Sequence, residues 1–191
     1  MNVYDFDGTI YTGDSTVDFF WYAMKKHPLL VRYVPVQAWG FVLSSLKRIT
    51  KTRLKEYFFS FLKGIDAPAL AETFWNENQH KLHSWYKEVQ DKVCIVISAS
   101  PEFLLRPICE RLGIRNLIAS QVDARTGRFL GENCRGEEKV VRLRQEYGDV
   151  AIDDFYSDSL SDLPLAKLAK QAYLVKDGCV LAWDTARETA G

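Results

Sequence analysis

The stretch "VYDFDGTI", Val3 to Ile10, places two carboxylates one residue apart directly after a short apolar run. The run Asn2 to Tyr4 is typical of a buried parallel strand, because it is brief, apolar and followed by acidic and small residues. Alternate side chains of an extended chain point to the same side. Asp5 and Asp7 are therefore predicted to face one way at the end of the first strand.

Two later runs have the same character, Val93 to Ile97 and Val150 to Ile152 with a continuation towards Tyr156. Helical patterns follow them, at Glu102 to Leu112 and at Asp162 to Ala172. Strands that alternate with helices predict an α/β fold with a doubly wound parallel sheet. The remaining predicted elements are a strand at "AYLVKDG", from Ala172, and a surface hairpin at "VDARTGRFLGENCRG", from Val122.

The stretch from Asp14 to Gln90 has a different composition. It holds four of the five tryptophans, three prolines, and apolar residues at helical spacing. These features predict an all-helical insertion between the first strand and the rest of the sheet. We expect a catalytic core at residues 1–13 and 89–191, with a helical cap at 14–88 that lies over the strand ends.

The overall composition excludes some classes of function. The chain has 25 basic and 25 acidic residues, so no net field attracts nucleic acid. Hydrophobic residues make up 47% of the chain, which indicates a packed globule. The four widely spaced cysteines form no C-x-x-C pair and indicate neither zinc nor disulfides. Because no charged, apolar leader is evident, we expect a cytoplasmic chain that starts at or near Met1.

The segment "PLLVRYVPVQAWGFVLSSLKRITK", from Pro28, is unusually apolar. A membrane-spanning helix needs about 20 predominantly apolar residues, but Arg32, Pro35 and Gly40 interrupt this run. A span is therefore disfavoured. A helical lid packed on its own core is the favoured interpretation, and an amphipathic surface that touches a membrane is the alternative.

Chemically apt side chains follow several of the predicted strands. Ligands of open α/β sheets bind beyond the carboxyl ends of the strands. Taken alone, each of these side chains is explained by a helix cap, a turn or a solvated charge. Together they predict one site, formed by Asp5, Asp7, Ser98, Lys139, Asp158 and Asp162.

Several carboxylates in one crevice repel one another unless a cation is present. A site with oxygen ligands for Mg²⁺ resolves this repulsion. A serine hydroxyl, a lysine and the backbone N–H groups of "DGT" then suit a phosphoryl group. Asp5 is the candidate nucleophile, forming an aspartyl-phosphate, and Asp7 is the candidate acid and base.

Four motifs carry a resemblance to a known family. They are "DFDGT" at Asp5, the strand "VCIVIS" that ends at Ser98, "CRGEEKVVRL" with Lys139, and "SDSLSD" with Asp158 and Asp162. In order and spacing the chain resembles the phosphatases of the haloacid dehalogenase superfamily. The insertion resembles the helical cap of the subgroup that contains phosphoserine phosphatase and phosphatidylglycerophosphatase C.

The resemblance implies a role for each matching residue. Asp5 would be the nucleophile and a Mg²⁺ ligand, Asp7 the acid and base and a ligand through its carbonyl, and Asp158 a ligand. Asp162 would bind the metal or support a ligand. Asp14 would either face the substrate or simply cap the helix at "STVDFF". The phosphate-binding residues would be Gly8, Thr9, Ser98, Ala99 and Lys139.

The motifs also depart from the phosphoserine-specific pattern. "SASPEF" follows Ile97 where those enzymes carry a glycine pair, and Ser157 and Ser161 replace their glycine and asparagine. The apolar cap favours a bulkier or more hydrophobic leaving group. We expect a small phosphomonoester or a phospholipid-type phosphate as substrate. The alternatives are phosphoryl transfer to an acceptor other than water, and a non-catalytic module that binds a partner through Trp21, Trp39, Trp75 and Trp85.

Overall fold

The structure, a computed structural model, describes residues 1–89 and 93–183. The strands are β1 (Asn2–Tyr4), β2 (Cys94–Pro101), β3 (Asn116–Ser120), β4 (Ile152–Ser157), β5 (Ala169–Lys176) and β6 (Cys179–Ala182). The helices are α1 (Ser15–Lys26), α2 (Val34–Ser45), α3 (Lys51–Phe58), α4 (Ala67–Asn78), α5 (Ser84–Val89), α6 (Glu102–Arg111), α7 (Glu137–Tyr147) and α8 (Leu163–Ala166).

The six strands form one sheet in the order β3-β2-β1-β4-β5-β6. All neighbours are parallel except β5 and β6, which pair antiparallel at one edge. The predicted doubly wound α/β fold is thus confirmed. β1 lies in the middle, where Val3 pairs with Ile95 on one side and Phe155 on the other. The first carboxylate motif therefore leaves the sheet at its centre.

The predicted strands and helices that border the site are present, with shifted ends. β2 begins at Cys94, because Val93 is exposed and lies outside the sheet, and it continues past Ile97 to Pro101. The predicted helix after it is α6, for which Leu112 is the C-terminal cap. The third predicted strand is β4, which runs from Ile152 to Ser157.

The predicted helix from Asp162 to Ala172 is wrong in its second half. α8 ends at Ala166, and Ala169 already pairs with Ile152 as the start of β5. Alanine and lysine favour helices locally, but pairing with a buried strand outweighs that small preference. The predicted hairpin is reduced to one antiparallel bridge, between Val122 and Phe129.

The chain between β1 and β2 forms α1 to α5 and three 3₁₀ segments at Pro28–Tyr33, Phe59–Gly64 and Gln79–Lys81. The division into a core and a cap stays a prediction, and residues 90–92 and 184–191 of the predicted core lie outside the described residues. Among the described helices, none combines the length and apolar character that crossing a bilayer requires.

Aromatic packing joins these helices to the sheet. Trp75 of α4 is fully buried and meets Phe6 and Tyr11 edge-on, with ring centroids 5.8 and 5.4 Å away. Its indole Nε1 donates a hydrogen bond of 2.6 Å to the carbonyl oxygen of Leu104 in α6. One side chain thus ties α4 and α6 to the loop that follows β1. By contrast, Trp21 is 64% exposed.

The substitution Trp75→Phe should destabilise the protein. It removes the indole hydrogen bond to the buried Leu104 carbonyl and opens a small void, at an expected cost of about 1–3 kcal/mol. The free energy of unfolding in urea measures this cost. Trp21→Phe is the matched control, and its exposed position predicts a change within about 0.5 kcal/mol. Equal losses in the two variants would contradict the anchoring role.

Candidate active site

A cavity of about 430 Å³ opens at the carboxyl ends of β1, β2 and β4. Eight of the ten predicted site residues line it: Asp5, Asp7, Asp14, Ser98, Ala99, Lys139, Asp158 and Asp162. The strand order accounts for this convergence, because the three strands that carry or precede most of these residues are adjacent in the sheet.

Lys139 is buried in the first turn of α7 and is paired with two carboxylates. Its Nζ lies 2.9 Å from Asp5 Oδ1 and 2.6 Å from Asp162 Oδ2. Burial lowers the pKa of Lys139, but the two carboxylates outweigh this effect and raise it above its ordinary value. Burial raises the pKa of Asp5 even though Lys139 opposes the shift. The lysine therefore stays charged beside the candidate nucleophile.

Asp7 is held in place by two hydrogen bonds to its carboxylate. Its Oδ1 accepts from the backbone N–H of Ser15 at 2.7 Å, and its Oδ2 accepts from the hydroxyl of Ser100 at 2.5 Å. Burial, followed by the nearby charge of Asp14, raises the pKa of Asp7 to about 6. Asp14 itself caps α1 by accepting from Val17 N–H at 3.0 Å, and it also lines the cavity.

Gly8 packs directly against Asp158. Its φ of +69° lies in the left-handed region, and a Cβ there would sit 2.2 Å from Asp158 Oδ2. Only glycine allows this approach. Burial, and then the charge of Asp162, raises the pKa of Asp158.

The backbone N–H groups of Gly8 and Thr9, two residues predicted to bind phosphate, make hydrogen bonds within their own loop. Neither residue lines the cavity. The backbone N–H of Gly8 donates to the Gly13 carbonyl at 2.9 Å, and that of Thr9 donates to the Phe6 carbonyl at 3.3 Å. The loop thus uses both donors to close on itself.

The carboxyl groups of the cavity fit a hard divalent cation. Burial raises the pKa values of Asp5, Asp7 and Asp158, so their ionised forms lack full compensation. Asp162 Oδ1 is buried with no hydrogen-bond partner among the described residues. Oxygen donors of this kind suit Mg²⁺.

No group of three or more Asp, Glu, His or Cys side chains within residues 1–89 and 93–183 is arranged as a metal cage. The ligand set implied by the resemblance needs fewer side chains. It has two carboxylates, those of Asp5 and Asp158, and takes its third protein donor from the Asp7 carbonyl. Protein sites for Mg²⁺ commonly use one or two carboxylates, with water or phosphate oxygens as the other ligands.

The sequence did not reveal two cations that also line the cavity, Lys55 of α3 and Arg135. Lys55 Nζ donates to the Ala99 carbonyl at 3.1 Å and to Asn133 Oδ1 at 2.9 Å. Burial lowers its pKa. Lys55 is one of many basic residues in its stretch of sequence, so no pattern distinguished it. Apolar side chains complete the wall: Val17, Phe41, Leu54, Phe58 and Phe59.

Comparisons with known proteins identify the family of the chain. The profile of the haloacid dehalogenase-like hydrolase family matches residues 3–167. The chain is 31% identical over 150 residues to histidinol-phosphatase of Neisseria meningitidis, an alignment that covers 71% of this chain and 64% of that protein. It is 28% identical over 193 residues to protein CicA of Caulobacter vibrioides, covering 88% of this chain and 82% of that protein.

A solved structure shares the fold. The probable phosphoserine phosphatase of Vibrio cholerae superposes with a TM-score of 0.60 at 18% identity, over 90% of this chain and 55% of that one. The chain thus spans just over half of that protein and slightly less than two thirds of the Neisseria enzyme.

The substitution Gly8→Ala should weaken Mg²⁺ binding about 10- to 100-fold, because the added methyl displaces Asp158. Gly13→Ala is the matched control, since Gly13 also has a positive φ, of +90°, but a methyl group added there would meet nothing within 4 Å. Both variants should lose about 1–2 kcal/mol of stability from left-handed strain. Thermal denaturation at increasing Mg²⁺ separates the two effects. Similar Mg²⁺ affinities in both variants would contradict the assigned contact.

The metal-free protein should lose stability as pH rises from about 4 through about 6. Asp7 holds its proton to about pH 6 when folded but releases it near its ordinary value when unfolded. The folded state therefore binds more protons in this window, and stability falls as they leave. Melting temperatures in a chelator at pH 4.5, 5.5 and 7 measure the slope. Asp7→Asn should reduce it, and the raised pKa values of Asp5 and Asp158 account for the slope that remains. Mg²⁺ favours the ionised carboxylates, so its stabilising effect should grow with pH.

Proposed function

The chain belongs to the haloacid dehalogenase-like hydrolase family, and we propose that it is a Mg²⁺-dependent phosphomonoesterase that works through an aspartyl-phosphate on Asp5. One observation carries the proposal: Asp5 and Asp7, from one loop, line the same cavity as Ser98, Lys139 and Asp158. The names of two similar proteins, a histidinol-phosphatase and a probable phosphoserine phosphatase, support the reaction class.

The substrate phosphoryl group binds between Lys139 and Ser98. Lys139 supplies a fixed positive charge, and the Ser98 hydroxyl, which accepts from Ser100 N–H at 3.1 Å, keeps its own hydrogen to donate. Bound Mg²⁺, held by Asp5, Asp158 and the carbonyl of Asp7, would neutralise part of the phosphoryl charge.

In the first step an Asp5 carboxylate oxygen attacks phosphorus. A bond forms between phosphorus and this oxygen, and the bond to the ester oxygen breaks. Protonated Asp7 gives its proton to the departing oxygen. Its pKa of about 6 leaves a fraction protonated at neutral pH, and its bonds to Ser15 and Ser100 fix its direction.

In the second step Asp7, now ionised, takes a proton from water, and the water oxygen attacks the phosphorus of the aspartyl-phosphate. The bond to Asp5 breaks, inorganic phosphate is released, and both carboxyl groups return to their starting states. One residue thus acts as acid and then as base, which requires a pKa near the working pH.

The leaving group lies against the predicted cap, residues 14–88, which we assign to the helical type of the phosphoserine phosphatase-like subgroup. The cavity wall there combines apolar residues with two cations, Lys55 of the predicted cap and Arg135 of the predicted core. This surface suits a small phosphomonoester or a phospholipid-type phosphate whose leaving group is bulky and partly apolar. A second anionic group on the substrate would match the two cations.

The substitutions Asp5→Asn and Asp7→Asn should separate the two steps on 4-nitrophenyl phosphate. Asp5→Asn should abolish turnover, since it removes the nucleophile. Asp7→Asn should lower turnover about 10²- to 10⁴-fold. Because nitrophenolate leaves without a proton, this variant should still form the phosphoenzyme and accumulate it. Acid-quenched protein, measured by intact mass, would carry one added phosphoryl group.

Asp153→Asn is the matched control, because Asp153 pairs with the amino terminus and Lys170 and does not line the cavity. It should keep full activity, and a chelator should abolish the activity of the native protein. Full turnover by Asp5→Asn would remove Asp5 as the nucleophile. Greater nitrophenolate than phosphate release on adding an alcohol would identify transfer to an acceptor other than water.

A further inference from the structure

Helices α1 and α2 and the 3₁₀ segment between them expose much apolar surface. Of the seventeen large exposed hydrophobic residues in the described part of the chain, ten lie between Val17 and Leu46. We call these ten the apolar face: Val17, Trp21, Leu29, Val31, Val34, Val36, Trp39, Phe41, Val42 and Leu46. Scattered exposed hydrophobic residues are ordinary, but such a concentration marks an interaction site.

The orientation of α2 is the reverse of that in an ordinary surface helix. Its buried residues are Gln37 and Gly40, while Trp39 and Val42 point outward. Helices of globular proteins usually bury the apolar side and expose the polar one. The buried amide of Gln37 is satisfied, because its Nε2 donates a hydrogen bond of 2.8 Å to the Phe58 carbonyl oxygen.

The same region carries a strong local positive charge. Residues 19–55 contain eight lysines and arginines and no acidic residue, although the whole chain has zero net charge. Lys26 and Arg53 form ion pairs with Glu77 and Glu56. Of these eight cations, the exposed ones that make no ion pair with any described residue are Lys25, Arg32, Lys47, Arg48 and Lys51.

We propose that the apolar face docks on the surface of an anionic lipid bilayer. Exposed Trp, Phe, Leu and Val enter the boundary between headgroups and acyl chains, and the surrounding cations contact anionic headgroups. The charge favours this occupant over a second copy of the chain. A twofold contact through this face would set the same unpaired cations against one another.

The apolar face is continuous with the cavity, since Val17 and Phe41 belong to both. A docked molecule therefore turns the cavity mouth towards the headgroup layer. This consequence rests on the proposed phosphatase function and favours an amphiphilic phosphomonoester as the substrate. Docking itself requires only the apolar face and its charges.

Cosedimentation with vesicles tests the docking. The native chain should pellet with vesicles of phosphatidylcholine and about 30% phosphatidylglycerol, bind pure phosphatidylcholine less, and release in about 0.5 M NaCl. Arg48→Glu with Lys51→Glu should lower partitioning about 30-fold or more, because each cation near such a surface contributes about a factor of five. Trp39→Asp with Val42→Asp should lower it about tenfold or more.

Matched control variants show whether the loss of vesicle binding is specific to the apolar face or follows from any change in net charge. Lys167→Glu with Lys176→Glu changes the net charge equally, and Val180→Asp adds charge at an exposed apolar position on β6; both should bind like the native chain. All the variants should keep the native melting temperature and the native rate on 4-nitrophenyl phosphate. Vesicle binding by a chain without phosphatase activity would leave docking intact and overturn only the proposed function.

Three results would overturn the docking proposal. The native chain could fail to bind the anionic vesicles, or the face variants could bind as well as the controls. Light scattering could instead show a native dimer that Trp39→Asp with Val42→Asp converts to a monomer. That last result would make the apolar face a contact between copies of the chain.

Discussion

Lys139 holds an ammonium group between Asp5 and Asp162 in the interior of the protein, and the geometry of the site depends on these two ion pairs. Burying any one of these charges alone would be very unfavourable, and removing one partner of such a buried set typically costs about 3–5 kcal/mol. The contact also joins α7 to the end of β1 and to the 3₁₀ segment Leu160–Asp162. A single cation thus fixes three separate parts of the chain around the candidate nucleophile.

The sheet order makes that contact available. β1 is only three residues long, yet it lies between β2 and β4, and Asp5 N–H still donates to the Tyr156 carbonyl at 2.8 Å after the strand ends. The chain therefore leaves the sheet at a central strand, and the carboxylates of Asp5 and Asp7 lie at the carboxyl ends of the strands. Gly8 then turns the loop back so closely that it touches Asp158, which follows β4. The fold and the candidate site are consequences of the same strand arrangement.

The sequence predicted the parts of this arrangement that have a local signature. Buried parallel strands give short apolar runs, so β1, β2 and β4 and the polar residues beside them were identified. β6 was not predicted, although its sequence CVLA is a short apolar run whose four residues are all exposed, and the beginning of β5 resembles a helix until it pairs with β4. The position of Lys55 beside the cavity depends on contacts with distant parts of the chain. The hydrogen bonds by which the Gly8 and Thr9 N–H groups close their own loop form only when that loop folds. Residue spacing in the sequence does not encode such contacts.

Packing fixes which side of α2 faces outward. A Cβ on Gly40 would lie 2.4 Å from Tyr57 Cβ, so α2 and α3 touch where only glycine fits. Turning α2 by half a rotation would bring Trp39 or Val42 to this contact, where the close-packed interior has no room for them. The turn would also break the hydrogen bond from Gln37 to the Phe58 carbonyl. The outward direction of the apolar side chains is therefore built into the helix pair, and it persists whether or not anything covers them.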